Sequence, residues 1–188
     1  MKPSSRSRRV PNRFPRIPPI AGVRLTTRSV GIKYARRHDL LLVECARGST
    51  VAGVFTRSTT AAAPVVWCRE RVGRGRIRGL VVNSGNANAF TGLAGEKAVR
   101  ATAAAAAQAL GCLRNQVLVA STGVIGEPLP LNRLTGAMPL MGKSLAPGGW
   151  RAAARAIRTT DTFIKGAWRR CEIDGHEITL GGIAKGSG

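Results

Sequence analysis

The chain has 188 residues, enough for one domain with a buried core or for two small domains. Hydrophobic residues make up 44% of it, as in ordinary globular proteins. No stretch approaches the roughly 20 uncharged apolar residues that a membrane helix needs, which excludes an integral membrane protein anchored by such a helix.

The charge balance is unusual, because 30 lysines and arginines stand against 9 acidic residues, a formal net charge of +21. Such an excess points to a polyanionic partner. Aromatic residues make up only 4% of the chain and do not interleave with the basic ones, so a base-stacking surface for single-stranded nucleic acid is poorly supported. The four cysteines lie far apart and are interpreted as buried core thiols, and His38 and His176 support no metal site.

Residues 1–20 differ in composition from the rest of the chain. They are rich in arginine, serine and proline and contain no acid, which predicts a disordered arm. An organellar transit peptide is the alternative, but the prolines would break the amphipathic helix that such peptides form. Residues 21–188 are predicted to form the folded domain, and they remain strongly basic without the arm.

The first half of the domain is predicted to form mainly strands. Two short apolar runs, at residues 39–45 and 50–56, predict two strands joined by a turn. Residues 61–72 are ambiguous between strand and helix. A buried strand is predicted at residues 80–82, and it runs into an Asn/Gly-rich stretch at residues 83–89.

The second half alternates between helices and strands. The clearest helix is the alanine-rich stretch at residues 96–110, with Gly111 just past its end. The other predicted elements are a strand at 117–120 followed by a turn at 121–123, helices at 131–141 and 150–158, and a hairpin at 171–179 with Asp174–Gly175 as its turn. This order predicts a mixed α/β protein without tandem repeats.

Four segments together match a known family. They are Val81–Ala89 (VVNSGNANA), Val119–Gly126 (VASTGVIG), Thr159–Phe163 (TTDTF) and Gly181–Gly188 (GGIAKGSG). In this order and spacing they resemble the N-terminal (α) part of the ornithine acetyltransferases of arginine biosynthesis, also called bifunctional glutamate N-acetyltransferases. The resemblance runs from about residue 22 to residue 188.

The resemblance implies a layered α/β/β/α sandwich with a mixed sheet, incomplete without a β part. It implies an enzyme that cuts its own chain before a threonine, whose freed α-amine then acts as base for its own hydroxyl. That threonine carries acetyl from N2-acetylornithine to glutamate, and some members also use acetyl-CoA. No metal or organic cofactor is implied. The implied partner is a β chain in a heterotetramer of two α and two β chains, in the cytoplasm rather than the mitochondrial matrix.

The site residues that the resemblance implies are assigned only at positions where this sequence matches the family's motifs. Thr122 and Gly123 match the oxyanion-hole pair, a hydroxyl and a backbone N–H aimed at the tetrahedral oxygen. Thr159 and Lys185 match substrate-binding residues, and a lysine suits substrates that carry α-carboxylates.

Other polar residues near these motifs are interpreted from residue type. The three asparagines of the first motif either line the active site or bond their own backbone, and the structural role is preferred; they are Asn83, Asn86 and Asn88. Asp161 is expected to hold the loop near Thr159 by accepting backbone N–H groups.

Departures from the family pattern limit what the resemblance implies. The sequence stops inside the glycine-rich loop, before the family's nucleophilic threonine and a substrate-binding glutamate, and is interpreted as an interrupted protein that is inactive alone. Ile164 stands where the family usually has proline. Two alternatives remain: a degenerate remnant that acts as a basic polyanion- or nucleic-acid-binding module, or a truncated product that exposes apolar surface and does not fold.

Overall fold

A computed structural model of the protein describes residues 13–186. The elements, in chain order, are β1 (Val23–Arg28), β2 (Leu40–Cys45), α1 (Ala63–Val72), β3 (Gly79–Asn86), α2 (Gly92–Leu110), β4 (Val117–Val124), α3 (Leu131–Lys143), α4 (Trp150–Ala156), β5 (Lys165–Ile173) and β6 (His176–Ala184). A single 3₁₀ turn at Arg114–Gln116 leads into β4.

The strands form a four-stranded sheet and a separate hairpin within the described residues. The sheet has the order β1-β2-β3-β4. β1, β2 and β3 pair antiparallel, whereas β3 and β4 are parallel and are joined through α2, since parallel neighbours need a long crossover. The sheet is therefore mixed, and the predicted α/β class is confirmed.

Both faces of the four-stranded sheet are covered. Side chains alternate along β2, so Leu40 and Leu42 enter the larger core beneath α1, α2 and α3. Leu41 points to the other face, where it packs with Ala153 of α4 and with Ile183 of β6. The helix α4 and the hairpin thus lie on the face opposite the three longer helices.

Two local sequence signals have the predicted geometry. Gly111 follows α2 in the left-handed conformation (φ 60°), as expected of a glycine that ends a helix. Asp174 and Gly175 both have positive φ, 50° and 73°, as a two-residue hairpin turn requires. The hairpin is longer than predicted, and the ambiguous segment at 61–72 is resolved as helix α1.

The structure differs from the sequence predictions in two strands and one cysteine. Residues 50–56 form no strand: Thr50 makes one isolated bridge to Arg76, and Val54 is 99% exposed. Strand β1 was not predicted, because its sequence VRLTTR has no apolar run and pairing with β2 defines it. Cys171 is an exposed thiol rather than a core residue; Cys68 is buried, whereas Cys45 and Cys112 are partly buried.

The end of the predicted arm contacts the folded body. Ile17 is buried, and the indole N–H of Trp150 donates to the carbonyl of Pro18 at 3.2 Å. A side chain at Gly181 would collide with Ile20, since a Cβ there would lie 2.7 Å from Ile20 Cδ1. Residues 13–20 are thereby held against α4 and the hairpin, whereas residues 1–12 of the predicted arm lie outside the described residues.

Candidate active site

The first two family motifs lie on neighbouring parallel strands. β3 and β4 pair in register to their carboxyl ends, with Ser84 beside Thr122 and Gly85 beside Gly123. The predicted turn at residues 121–123 is wrong, because β4 continues through it, and β3 likewise continues through residues 83–86 of the Asn/Gly-rich stretch. The carboxyl ends of adjacent parallel strands are a common place for binding sites.

Gly123 has a structural reason to be glycine. Its φ is 138°, and a Cβ there would lie 2.3 Å from the carbonyl carbon of Gly85 and 2.5 Å from the backbone nitrogen of Asn86. No side chain fits in that space, because the obstructing atoms belong to the backbone. The register also shifts between Gly85 and Asn86, so the strand ends are irregular where they meet.

Thr122 lies on the sheet face that α4 covers. Val82 packs against the smaller core on that face, and alternation along β3 places Ser84 on the same side. Thr122 is paired with Ser84 and shares that side. Thr122 is partly buried and Gly123 is exposed, so a hydroxyl and a backbone segment are accessible together at the strand end.

The three asparagines of the first motif form a buried network. Asn83 accepts from Ser121 Oγ at 2.6 Å and donates to the carbonyl of Asn86 at 2.9 Å. Asn86 donates to the carbonyl of Glu127 and accepts the N–H of Asn88 at 2.7 Å. Asn88 in turn donates to the carbonyl of residue 95 at 3.0 Å. The structural interpretation of these asparagines is confirmed, because their side chains are occupied by neighbouring groups.

A series of contacts joins Thr159 to the same end of the sheet. Arg37 Nη1 donates to the carbonyl oxygen of Thr159 at 3.3 Å. Two residues after Arg37, the carbonyl of Asp39 accepts the N–H of Ser84 at 2.8 Å. Ser84 is the pairing partner of Thr122, so these contacts connect the loop after α4 with the end of β4 through the segment before β2.

Asp161 links the third motif to the fourth. Its Oδ1 accepts the backbone N–H of Gly186 at 2.6 Å and Lys165 Nζ at 2.8 Å. Burial alone would raise the pKa of Asp161, but these two hydrogen bonds and the Lys165 charge lower it to about 2 from 3.8. The expectation that Asp161 accepts a backbone N–H is confirmed. The bond fixes the backbone beside Lys185, whose own side chain is exposed, close to the Thr159 loop.

Sequence reasoning missed Arg37, Asp39 and Lys165, which position the site. Asp39 is buried, and its carboxylate accepts the N–H groups of Val30 at 2.8 Å and Ile32 at 2.6 Å. An acidic residue directly before an apolar strand, as Asp39 is, gives only a weak sequence signal for a positioning role. No local sequence pattern marks Arg37 or Lys165.

The site's polar groups suit acyl chemistry on a carboxylate substrate. The end of β4 offers a hydroxyl and an adjacent backbone N–H, and the two loops that Asp161 joins carry a second threonine and a lysine. Residues 13–186 contain no group of three His, Cys, Asp or Glu side chains placed to hold a metal ion. No helix within this range is both long enough and apolar enough to cross a membrane.

Curated proteins resemble nearly the whole chain. A bifunctional arginine biosynthesis protein, ArgJ, from Bradyrhizobium diazoefficiens is 48% identical over 185 residues, which are 98% of this chain and 45% of the relative. The ArgJ protein of Nitrobacter winogradskyi is 50% identical over 182 residues, 95% of this chain and 44% of the relative. The chain therefore spans less than half the length of these relatives.

Solved structures share the fold. An ArgJ structure from Bacillus halodurans has a TM-score of 0.83 at 34% identity and covers 89% of this chain and 88% of its own. The ornithine acetyltransferase of Mycobacterium tuberculosis, solved in complex with ornithine, has a TM-score of 0.82 at 38% identity and covers 90% of each chain. The ArgJ family model matches residues 24–188. This chain belongs to the ArgJ family.

Proposed function

We propose that this chain is the N-terminal part of an ornithine acetyltransferase that moves acetyl from N2-acetylornithine to glutamate in arginine biosynthesis. The chain spans less than half the length of these curated relatives. The family resemblance assigns the threonine nucleophile to a β chain, and we propose that the reaction needs it. The assembly is a heterotetramer of two α and two β chains. The two relatives compared above are bacterial, which favours the cytoplasm over the mitochondrial matrix.

The reaction proceeds through an acetyl-threonine. The threonine hydroxyl of the β chain attacks the acetyl carbonyl of N2-acetylornithine, and its proton passes to the threonine's own α-amine. The amide C–N bond breaks, ornithine leaves with that proton, and the acetyl group stays on the threonine oxygen. The α-amine of glutamate then attacks the ester carbonyl, which yields N-acetylglutamate and restores the hydroxyl. Both steps place negative charge on the carbonyl oxygen.

The observation that carries this proposal is the junction of β3 and β4. The close approach of Gly123 to Gly85 fixes the backbone there, and Thr122 precedes it on the face that α4 covers. A fixed N–H beside a hydroxyl is the pair of donors that a tetrahedral oxyanion needs. Gly123 and Thr122 are assigned these two donations.

Substrate recognition is assigned to the two loops that Asp161 joins. Both substrates carry an α-carboxylate, and the exposed ammonium of Lys185 supplies its counter-charge. Thr159 adds a hydroxyl from the other loop. The Asp161–Gly186 hydrogen bond supports this assignment, since it holds the two loops together before substrate arrives.

The test is to co-express this chain with the C-terminal part of the Bradyrhizobium diazoefficiens relative and to measure acetyl transfer from N2-acetylornithine to glutamate. We expect no transfer by this chain alone and transfer by the purified complex. Thr122→Val should lower kcat by about 10²–10³-fold, as loss of one oxyanion donor does. Lys185→Gln should mainly raise KM. Thr50→Val, at an exposed position that bridges Arg76 near the amino end of β3, should change neither constant.

The two parts of the relative, co-expressed with each other, provide the positive control. If that pair is active and the mixed complex assembles but transfers no acetyl, the proposal is wrong. Acetyl-CoA replaces N2-acetylornithine in a second arm of the assay, which tests the additional donor that the word bifunctional in the relatives' name suggests.

A further inference from the structure

A second concave site lies between the segment before β2 and helix α4. It has a volume of about 570 Å³, and basic side chains dominate its lining. These are Arg36, Arg37, His38, Arg151, Arg155 and Arg158. Five guanidinium groups therefore share one pocket, drawn from two segments that are more than a hundred residues apart in sequence.

No carboxylate balances this charge. The residues that line the pocket include no acid, and none of the five arginines takes part in an ion pair within residues 13–186. Elsewhere the protein does pair its arginines: Arg24 and Arg78 both contact Glu44, at 2.6 and 3.5 Å. Like charges held in one concavity repel each other, which destabilises the folded chain unless an anion neutralises them.

Two guanidinium groups of the pocket have buried nitrogen atoms without a hydrogen-bond acceptor. Arg37 donates through Nη1 to the carbonyl of Thr159, and Arg158 donates through Nη1 to the carbonyl of Thr162, each at 3.3 Å. Their other buried nitrogens, Nη2 of Arg37 and Nε of Arg158, have no partner within residues 13–186. Both residues line the pocket, and because buried donors are almost always satisfied in folded proteins, an anion that draws these guanidinium groups toward it would supply the missing acceptors.

The ligand chemistry follows from the donors. Guanidinium groups bind phosphate oxygens through paired N–H donors, and several such groups suit several phosphates. A pocket of this volume suits a small molecule, and the scarcity of aromatic residues gives no platform for a nucleic-acid strand. We propose that this arginine pocket binds a small molecule with two or more linked phosphate groups. The pocket adjoins the Thr159 loop through Arg37 but contains neither Thr122 nor Lys185, and anion binding to it is measured without acetyl transfer.

The test is calorimetric titration of the 188-residue chain with inorganic tripolyphosphate and, in a second arm, with ATP. We expect one anion to bind per chain. Arg151→Gln with Arg155→Gln should weaken binding by about 100-fold, if each lost charge-assisted contact contributes a factor of roughly ten. The two arms distinguish an inorganic polyphosphate from a nucleotide, since an organic ligand should bind more tightly than its phosphates alone.

The matched control is Arg57→Gln with Arg74→Gln, which removes the same charge from exposed positions outside the pocket. Its affinity should stay within about twofold of the parent chain at 0.15 M salt, where charges more than a Debye length away are screened. The proposal is overturned if both double variants lose affinity for the anion equally, or if neither tripolyphosphate nor ATP binds. Tighter binding of duplex RNA than of either phosphate, lowered equally by both double variants, also overturns it.

Thermal unfolding provides an independent measurement. Arg151 and Arg155 are exposed, so their replacement should leave the fold intact and, at low salt without an anion, should leave Tm equal or higher. Tripolyphosphate should raise Tm in the parent chain and in the control variant but not in the pocket variant. A rise in Tm of the same size in all three proteins contradicts the pocket assignment.

Discussion

The Asp161 carboxylate accepts the backbone N–H of Gly186 across 25 residues of sequence, at 2.6 Å. Lys165 Nζ donates to the same oxygen and also to the Gly186 carbonyl. One buried acid thus fixes the positions of two loops that the family resemblance assigns to substrate binding. The consequence for stability can be measured.

Replacement of Asp161 by asparagine should make the free energy of unfolding less dependent on pH between pH 2 and pH 6. Its pKa is lowered to about 2 when the chain is folded, from 3.8, so its contribution of about 2 kcal/mol is complete above pH 4–5 and is lost as pH falls through 2. We expect Asp161→Asn to reduce the free energy of unfolding at pH 6 and to have little effect near pH 2. Urea unfolding of both proteins from pH 2 to pH 6 measures the difference.

The control for this experiment is Asp174→Asn, at the exposed hairpin turn, where asparagine tolerates the same positive φ. Its unfolding free energy should follow that of the parent chain at every pH. If the curves of Asp161→Asn and the parent protein stay parallel from pH 6 to pH 2, the carboxylate does not have the role assigned to it.

Gly123→Ala should destabilise the junction of β3 and β4. The new Cβ would lie 2.3 Å from the carbonyl carbon of Gly85, and φ is 138°, so crowding and backbone strain both act. We expect a loss of roughly 3 kcal/mol or more in unfolding free energy. Gly126→Ala separates the two effects, because its φ is 83° but no atom lies within 4 Å of a Cβ there. Equal losses in the two variants would show that crowding contributes nothing.

Asn86→Ala should lower the free energy of unfolding more than a typical surface substitution does. The Asn86 side chain donates to the carbonyls of Glu127 and Pro128 and accepts the N–H of Asn88. Its removal leaves the buried N–H of Asn88 without its acceptor and two part-buried carbonyls without their donor, which costs roughly 2–3 kcal/mol. Asn132→Ala, at an exposed position in α3, should change the unfolding free energy by less than about 0.5 kcal/mol. Similar values for the two variants would contradict the structural role of the network.

The four thiols should react at very different rates. Cys171 is exposed, whereas burial raises the pKa of the Cys68 thiol, which also donates to the carbonyl of Val119 at 3.1 Å. Because the thiolate is the reactive form, a disulfide reagent at pH 8 should modify Cys171 first and Cys68 only on unfolding. Cys171→Ser should abolish the fastest phase. A fast phase that survives this substitution would indicate that another thiol is accessible.

Local sequence signals predicted those elements that depend on local chemistry. Helix α2 is an alanine-rich run with a glycine after it, and the hairpin turn is Asp174–Gly175; both are determined within a few residues. Strand β1 was missed and residues 50–56 were mistaken for a strand because a strand needs a partner. The apolar run with Val54 has no such partner within the described residues, and Val54 points into solvent.

The site was predictable only in part for the same reason. The family resemblance, and no local signal, singled out Thr122 and Gly123, and the structure places them at the end of β4 rather than in the turn predicted at residues 121–123. The contact of Arg37 with Thr159 spans 122 residues, and no local pattern marks it. The arginine pocket likewise exists only after folding, because its two halves are unremarkable basic segments in the linear sequence.

The contacts of residues 13–20 bear on where the chain can be shortened for recombinant work. The composition of the sequence suggests a cut at residue 21, after the basic and proline-rich stretch. Such a cut would uncover the surface beneath Ile17 and leave the indole N–H of Trp150 without its acceptor on Pro18. A protein that begins at or before residue 13 retains both contacts, and with them the support that this segment gives to α4 and the hairpin.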